Sequence, residues 1–207
     1  MAIAHRKWRD ITLALAAIGM VLAVAPAAAQ TRSDGYKFLQ AVEKGDQETV
    51  KNLYNKNSTV VDARDISDGH TALLIATKRR DAGWIRYLLT LGANPNIADK
   101  AGVTPLMLAS QLGFVDGIAL LASKGARVDA PNEAGETPLI LAVHRHDMAM
   151  VRILLAAGAD ADHSDNSGRT ARDYAKLDGA DSQMLAEIDK ADKAKTRKAG
   201  QIYGPTL

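Results

Sequence analysis

Cysteine is absent from all 207 residues, which removes disulfides, thiolate nucleophiles, cysteine-ligated metals and a lipid-modified cysteine anchor. The glycine patterns that cradle phosphates, Gly-x-Gly-x-x-Gly and Gly-x-x-x-x-Gly-Lys, are missing, as is the Gly-x-Ser-x-Gly turn that presents a serine nucleophile. A charge excess is missing as well. The chain holds 26 bases and 24 acids, and the first 29 residues carry three of the bases (Arg6, Lys7, Arg9) and one acid (Asp10), leaving 23 of each. A neutral body exerts no general pull on phosphate backbones, so nucleic acid is not the expected partner.

Paired imidazoles and carboxylates of the kind that hold metals are lacking too. His144 and His146 stand two apart, which on a helix sends them to nearly opposite sides, and no His-Glu-x-x-His spacing occurs. Asp160, Asp162 and Asp165 are not followed by the glycine and distal glutamate of a calcium loop. The expectation is therefore a chain with no catalytic residues, no metal, no cofactor and no small-molecule substrate: not an enzyme.

What is present begins with a three-part leader. His5-Arg6-Lys7-Trp8-Arg9 is basic, Ile11 to Val24 is apolar, and Pro26-Ala27-Ala28-Ala29-Gln30 offers an Ala-x-Ala site. That layout predicts a signal peptide over 1–29, cleaved before Gln30, with export to a bacterial periplasm or beyond. The alternative is that Ile11–Ala29 stays attached as one membrane helix. A polar linker is expected at 30–33.

The rest, with 47% hydrophobic and 24% charged residues overall, reads as an ordinary folded chain. Its dominant feature is repetition. Gly102-Val103-Thr104-Pro105-Leu106-Met107-Leu108-Ala109 returns as Gly135-Glu136-Thr137-Pro138-Leu139-Ile140-Leu141-Ala142, with weaker copies starting at Gly69 and Gly168. The threonines fall at 71, 104, 137 and 170, a period of 33, and a strict period of this length predicts a solenoid. Within each unit the threonine is placed to cap a helix, and Pro105 and Pro138 sit where a missing N–H costs nothing. The small Ala109, with counterparts Ala76, Ala142 and Ala175, lets a neighbouring helix come close. A second apolar stripe follows, through Trp84, Ile85, Leu88 and Leu89, through Val115, Ile118 and Leu121, and through Val151, Ile153, Leu154 and Leu155. Each of these ends at a glycine: Gly92, Gly125 and Gly158.

The Gly-x-Thr-Pro-Leu-x-x-Ala start, the paired leucines and the Gly-Ala-x-x-Asn/Asp exit resemble the ankyrin repeat. Three units match in register, 66–98, 99–131 and 132–164, flanked by an N-terminal cap at 34–65 with two extra residues around Asn57–Val61 and a C-terminal cap at 165–190. Alanine replaces the proline at 72 and 171, and the family's usual histidine is Leu74, Met107 or Ile140 here. The resemblance implies an all-α solenoid of about five stacked helix-turn-helix units, two of them caps, with hairpin-like turns between units.

It also implies a function. Ankyrin-like proteins hold another protein on the concave face made by first helices and turn tips. The family's contact positions fall on Ser67, Asp68, His70, Lys78 and Arg79 in one unit, and on Lys100, Ala101, Val103, Gln111 and Leu112 in the next. In the third they fall on Glu133, Ala134, Glu136, His144 and Arg145, and at the cap on Asn166, Ser167 and Arg169. The expected function is an exported protein-binding module, or in a narrower form an inhibitor or protective companion of one periplasmic enzyme. An uncleaved leader would make it a membrane-anchored scaffold instead. Residues 191–207, basic and polar, are expected to be a solvated tail, with weak contact to an acidic partner or anionic membrane as the sharper alternative.

Overall fold

The computed structural model describes residues 27–177 and 183–202, with side chains at 34–177 and 183–195. The basic residues and apolar run of the expected leader, up to residue 26, lie outside them. Met1–Ser33 and Asp34–Leu207 separate as two units, and of the first only the helical backbone of 27–33 is described.

The described residues form ten helices and one 3-10 turn. Helices α1 (Ala27–Lys44) and α2 (Gln47–Lys56) make the first pair, followed by the turn Ser58–Asp62. Then come α3 (Ala72–Lys78) with α4 (Ala82–Thr90), α5 (Pro105–Leu112) with α6 (Val115–Ser123), α7 (Pro138–His144) with α8 (Met148–Ala156), and α9 (Ala171–Leu177) with α10 (Gln183–Ile202). First helices stack on first helices, α3 on α5 on α7 on α9, and second helices on second helices, α4 on α6 on α8 on α10. The period of 33 is thus an all-helical solenoid, as expected.

The repeated threonines cap the first helices. The backbone N–H of Leu74, Met107 and Ile140 donates to Oγ1 of Thr71, Thr104 and Thr137 at 3.2–3.3 Å, and Pro105 and Pro138 take the first helical position. At Thr170 the proline is lost, but Asp173 restores the cap reciprocally. Its carboxylate accepts from the Thr170 N–H (3.2 Å) while Thr170 Oγ1 accepts from the Asp173 N–H (3.1 Å). Second helices α2, α4 and α8 are capped by Asp46, Asp81 and Asp147. The equivalent residue before α6 is Phe114, which caps nothing and lies over Gly117, where an added Cβ would meet its ring at 2.4 Å.

Burial follows the same period. Leu73, Leu106 and Leu139 are at most 1% exposed, as are Ala76, Ala109, Ala142 and Ala175. The positions where the family keeps a histidine, Leu74, Met107 and Ile140, are also at most 1% exposed, so they contribute apolar area between units where a polar tie would otherwise stand. Gly92, Gly125 and Gly158 end the second helices with φ of 88°, 82° and 98°, a left-handed shape open to glycine at little cost.

Two segments differ from expectation. The stretch 30–33, expected as a linker, is helical, because α1 already starts at Ala27. Gly35 lies within that helix and lets it approach the next segment: a Cβ there would stand 3.0 Å from Ala63 Cβ. The segment past Lys190, expected as a loose tail, is helix to Ile202, and it is bound back. Arg172 pairs with Asp162 (2.7 Å), Asp189 (2.7 Å) and Asp192, and Lys195 Nζ donates to the Ala159 carbonyl (2.9 Å). The two extra residues of the first cap are taken up by the 3-10 turn, which buries Val60 and Val61.

Candidate functional site

The first helices α3, α5 and α7 show the outside only two positions of their central stretch. In α3 residues 72–74 and 76–77 are buried while Ile75 is half-buried and Lys78 exposed, and the same pattern recurs at Leu108 and Gln111 in α5 and at Leu141 and His144 in α7. Tyr174 and Leu177 continue it in α9. Residues three apart share a helix face, so these pairs form two rows along the stack. One row is apolar (Ile75, Leu108, Leu141, Tyr174) and one mixed (Lys78, Gln111, His144, Leu177). At the N-terminal end of each first helix lies a turn tip, and at its C-terminal end the turn into the second helix.

The tips are tied by their own side chains. Asp65, Asp99, Asn132 and Asp165 open them, each accepting backbone N–H groups on one side-chain oxygen: Ser67 for Asp65, Ala101 and Val103 for Asp99, Ala134 and Glu136 for Asn132, and Ser167 and Arg169 for Asp165. Single antiparallel bridges, Arg64 to Thr71 and Ser164 to Thr170, make two of them hairpin-like. Hydrogen bonds from Ser167 and then from the Tyr174 hydroxyl hold the Asp165 carboxyl well below the usual carboxylate range, and Ser167's counterpart Ser67 lowers Asp65 in the same way.

The predicted contact residues divide by what holds them. Ser67 Oγ bonds Asp65. Asp68 accepts from the His70 N–H and faces His70 Nδ1 at 2.8 Å, and the other side of that ring reaches Asp99 at 3.7 Å. His70 therefore spans two tips. Lys100 Nζ donates to the Ile66 carbonyl (2.5 Å), and Val103 is half-buried with its N–H on Asp99. Lys78, Gln111 and Glu133 are exposed, Leu112 is half-buried, and Asn166 Nδ2 donates to the Glu133 carbonyl (3.0 Å).

Two predicted contact cations are committed to the scaffold. Arg79 donates to the carbonyls of Val42 (2.8 Å) and Glu43 (3.0 Å), closing the C-terminus of α1 from the next unit. Arg145 does the same for α5 through the Gln111 carbonyl (3.3 Å), while Arg80, which sequence reasoning passed over, reaches the neighbouring Leu112 carbonyl from the opposite side. Helix C-termini present unpaired carbonyls and a negative dipole end, and a guanidinium satisfies both.

At the far end of the stack the structure gathers six polar or aromatic groups. Glu136 accepts from Asn132 Nδ2 (2.8 Å) and faces His144 Nδ1 at 3.4 Å. The His144 ring meets Tyr174 edge-on, centroids 4.2 Å apart. The Tyr174 hydroxyl donates to Asp165 (2.7 Å), and the Arg169 guanidinium lies 5.8 Å from the ring centre. Tyr174 is thus an aromatic group locked in place, of the kind that anchors interfaces at low entropic cost. Sequence reasoning missed it, together with Ile75, Leu108, Leu141 and Leu177. The signal was available: four of the five stand four residues after the repeated threonine.

His144 and His146 do not form a pair. His144 ends α7, and His146 follows in a left-handed turn, φ 53°. Among the described residues no group of three His, Cys, Asp or Glu side chains is placed to hold a metal, and no helix is long and apolar enough to cross a membrane. Asp160 and Asp162 serve the exit loop and the cap: the Asp160 carboxylate accepts from the Asp162 N–H (3.0 Å), and Asp162 pairs with Arg172, which lowers its pKa.

No curated protein matches the chain. Family models do: one described as ankyrin repeats (3 copies) matches residues 38–132, and one described as ankyrin repeats (many copies) matches residues 120–175. Helix pairs stacked at a period of 33, capped by threonine and joined by hairpin-like tips, together with these matches running from residue 38 to residue 175, make this chain a member of the ankyrin-repeat family.

Proposed function

We propose that this protein–protein interaction module is exported and holds its partner on the face made by the first helices and tips. The observation that carries the reading is the repeated outward pair on each first helix. In α5 and α7 stacking has buried every other central position, yet Leu108 and Leu141 stay partly open beside Gln111 and His144, and Tyr174 and Leu177 of α9 extend the two rows. A mixed surface of half-open apolar groups rimmed by polar ones is the usual makeup of a protein interface. Export rests on the leader: a basic start, a short apolar run and an Ala-x-Ala site ahead of Gln30.

Arg79 and Arg145 are poor probes of this surface, since their removal unties helix ends. The informative variant changes Lys78→Glu, Leu108→Asp and Leu141→Asp, all partly or fully exposed. Wild-type protein immobilised against a periplasmic extract is expected to retain a partner that the triple variant, folded by circular dichroism, loses. Equal retention by both would sink the face assignment. Intact mass of the protein recovered from its host tests export separately, with loss of residues 1–29 as the expected result.

A further inference from the structure

The partner's chemistry can be narrowed, granted that the first-helix face is the contact surface. The two edges of that face carry opposite charge. Along the tips stand six carboxylates, Asp65, Asp68, Asp99, Glu133, Glu136 and Asp165, against three permanent cations, Arg64, Lys100 and Arg169. At the opposite ends of the same helices stand, among the described residues, five cations, Lys78, Arg79, Arg80, Arg145 and Lys176, against two carboxylates, Asp81 and Asp147. Arg79, Arg80 and Arg145 keep their charge there, because most of their bonds go to neutral carbonyls, and Asp81 and Asp147 are engaged as caps of α4 and α8. Between the edges runs the apolar row Ile75, Leu108, Leu141, Tyr174.

The dimensions suit one kind of occupant. First helices of seven or eight residues make the strip about 10–12 Å wide, the diameter of one α-helix with its side chains. Four stacked helices at about 10 Å spacing make it about 30 Å long, the length of roughly 20 helical residues. We propose that the occupant is a single amphipathic helix of the partner protein, lying along the stack, with an apolar stripe flanked by basic residues on one side and acidic residues on the other. Its basic flank faces the tips and its acidic flank faces the helix-to-helix turns. Such a helix turned end for end would set like charges together, so the edges also fix its direction. The dipoles of the first helices partly offset both edges, and salt screens exposed charges beyond about 8–10 Å, so the discrimination is expected to be about tenfold rather than absolute.

Three synthetic 20-residue helices of identical composition test this. The first carries Lys on one flank and Glu on the other, the second exchanges the flanks, and the third mixes both charges on each flank. The first two are expected to bind about tenfold tighter than the third at low salt. They should lie in opposite directions, read by a spin label at the peptide N-terminus that broadens resonances of α3 in one case and of α9 in the other. Equal affinity of all three peptides, no binding at all, or one direction for both segregated peptides overturns the proposal. The Leu108→Asp, Leu141→Asp variant separates the two levels. If all three bind wild type equally and lose binding to this variant, the face is right and the charge polarity wrong. If segregated peptides bind the variant as well as wild type, the face assignment fails too.

Discussion

Neighbouring tips meet at two junctions and stand apart at the one between. The Lys100 N–H donates to the Asp68 carbonyl (2.9 Å), and 66 residues on, the Asn166 N–H donates to the Ala134 carbonyl (3.1 Å). The corresponding bond between Glu133 and Ala101 is not made among the described residues. The tip glycines report the same division independently. A Cβ on Gly69 would stand 3.0 Å from the Lys100 nitrogen and one on Gly135 2.7 Å from the Asn166 nitrogen, whereas Gly102 has nothing within 4 Å, like Gly168 at the end of the row. Four glycines share one φ, 76–80°, yet two of them also make room for a neighbour's backbone. The helices beneath are stacked without a break, so tips and helices divide the molecule differently.

The largest expected effect tests whether the helix stack is one cooperative body despite that gap. Leu106 is 1% exposed in the middle of the stack, and Leu106→Ala is expected to cost about 3 kcal/mol, with a single urea transition shifted to lower midpoint. Two separated transitions would show that the stack divides where the tips do. Next comes the glycine pair itself. Gly102→Ala meets only an unfavourable φ, about 1 kcal/mol, while Gly135→Ala adds a backbone collision and should cost about 2–3 kcal/mol. Equal losses would mean that the docked tip yields freely. In hydrogen exchange the Lys100 and Asn166 amides should outlast that of Glu133.

How far the sequence foretold this depends on which residues are asked. The helix starts, the buried alanines and the exit glycines follow from local rules that act within one unit, so Thr104, Pro105, Ala109 and Gly125 announce their roles. Arg79, Arg80 and Arg145 do not, because each acts on a carbonyl of another unit more than 30 residues away, and nothing within its own unit points to that target. The apolar row was hidden for the opposite reason. Leu108 and Leu141 sit in a string so regular that all of it passes for core, and only stacking geometry leaves every fourth residue after the threonine ajar. The polar string after Lys190 misled because Asp192 and Lys195 belong to the cap only through Arg172 and Ala159.

A smaller effect is expected from the cross-unit cations. Arg79→Ala removes the guanidinium from two carbonyls at the end of α1, of which Val42 keeps the Gly45 N–H, and with the side chain 37% exposed water replaces part of the loss, giving about 1 kcal/mol. Lys78→Ala, its exposed neighbour, should change stability by less than about 0.5 kcal/mol. Thermal melts of the two variants compare them directly, and a Lys78→Ala loss as large as that of Arg79→Ala would overturn the assignment of Arg79 to the scaffold.

The mildest expected effect is set by pH and separates the C-terminal cap from the open tip of 99–103. Asp162 is held below its ordinary pKa chiefly by Arg172, and Asp165 chiefly by Ser167 and Tyr174. A carboxylate whose folded pKa lies below its unfolded value of about 3.9 stabilises the fold above that value. The contribution drains away as pH falls from about 4 toward the depressed folded pKa. Both groups hold α9, since Asp162 ties it to the exit loop through Arg172 and Asp165 ties it to the last tip through Tyr174. Acidification from pH 6 to pH 3 should therefore speed amide exchange in α9 before it does so in α5. Arg172→Gln should produce the same cap-selective loosening already at pH 6. If α5 loosened first on acidification, these two carboxylates would not be what holds the cap.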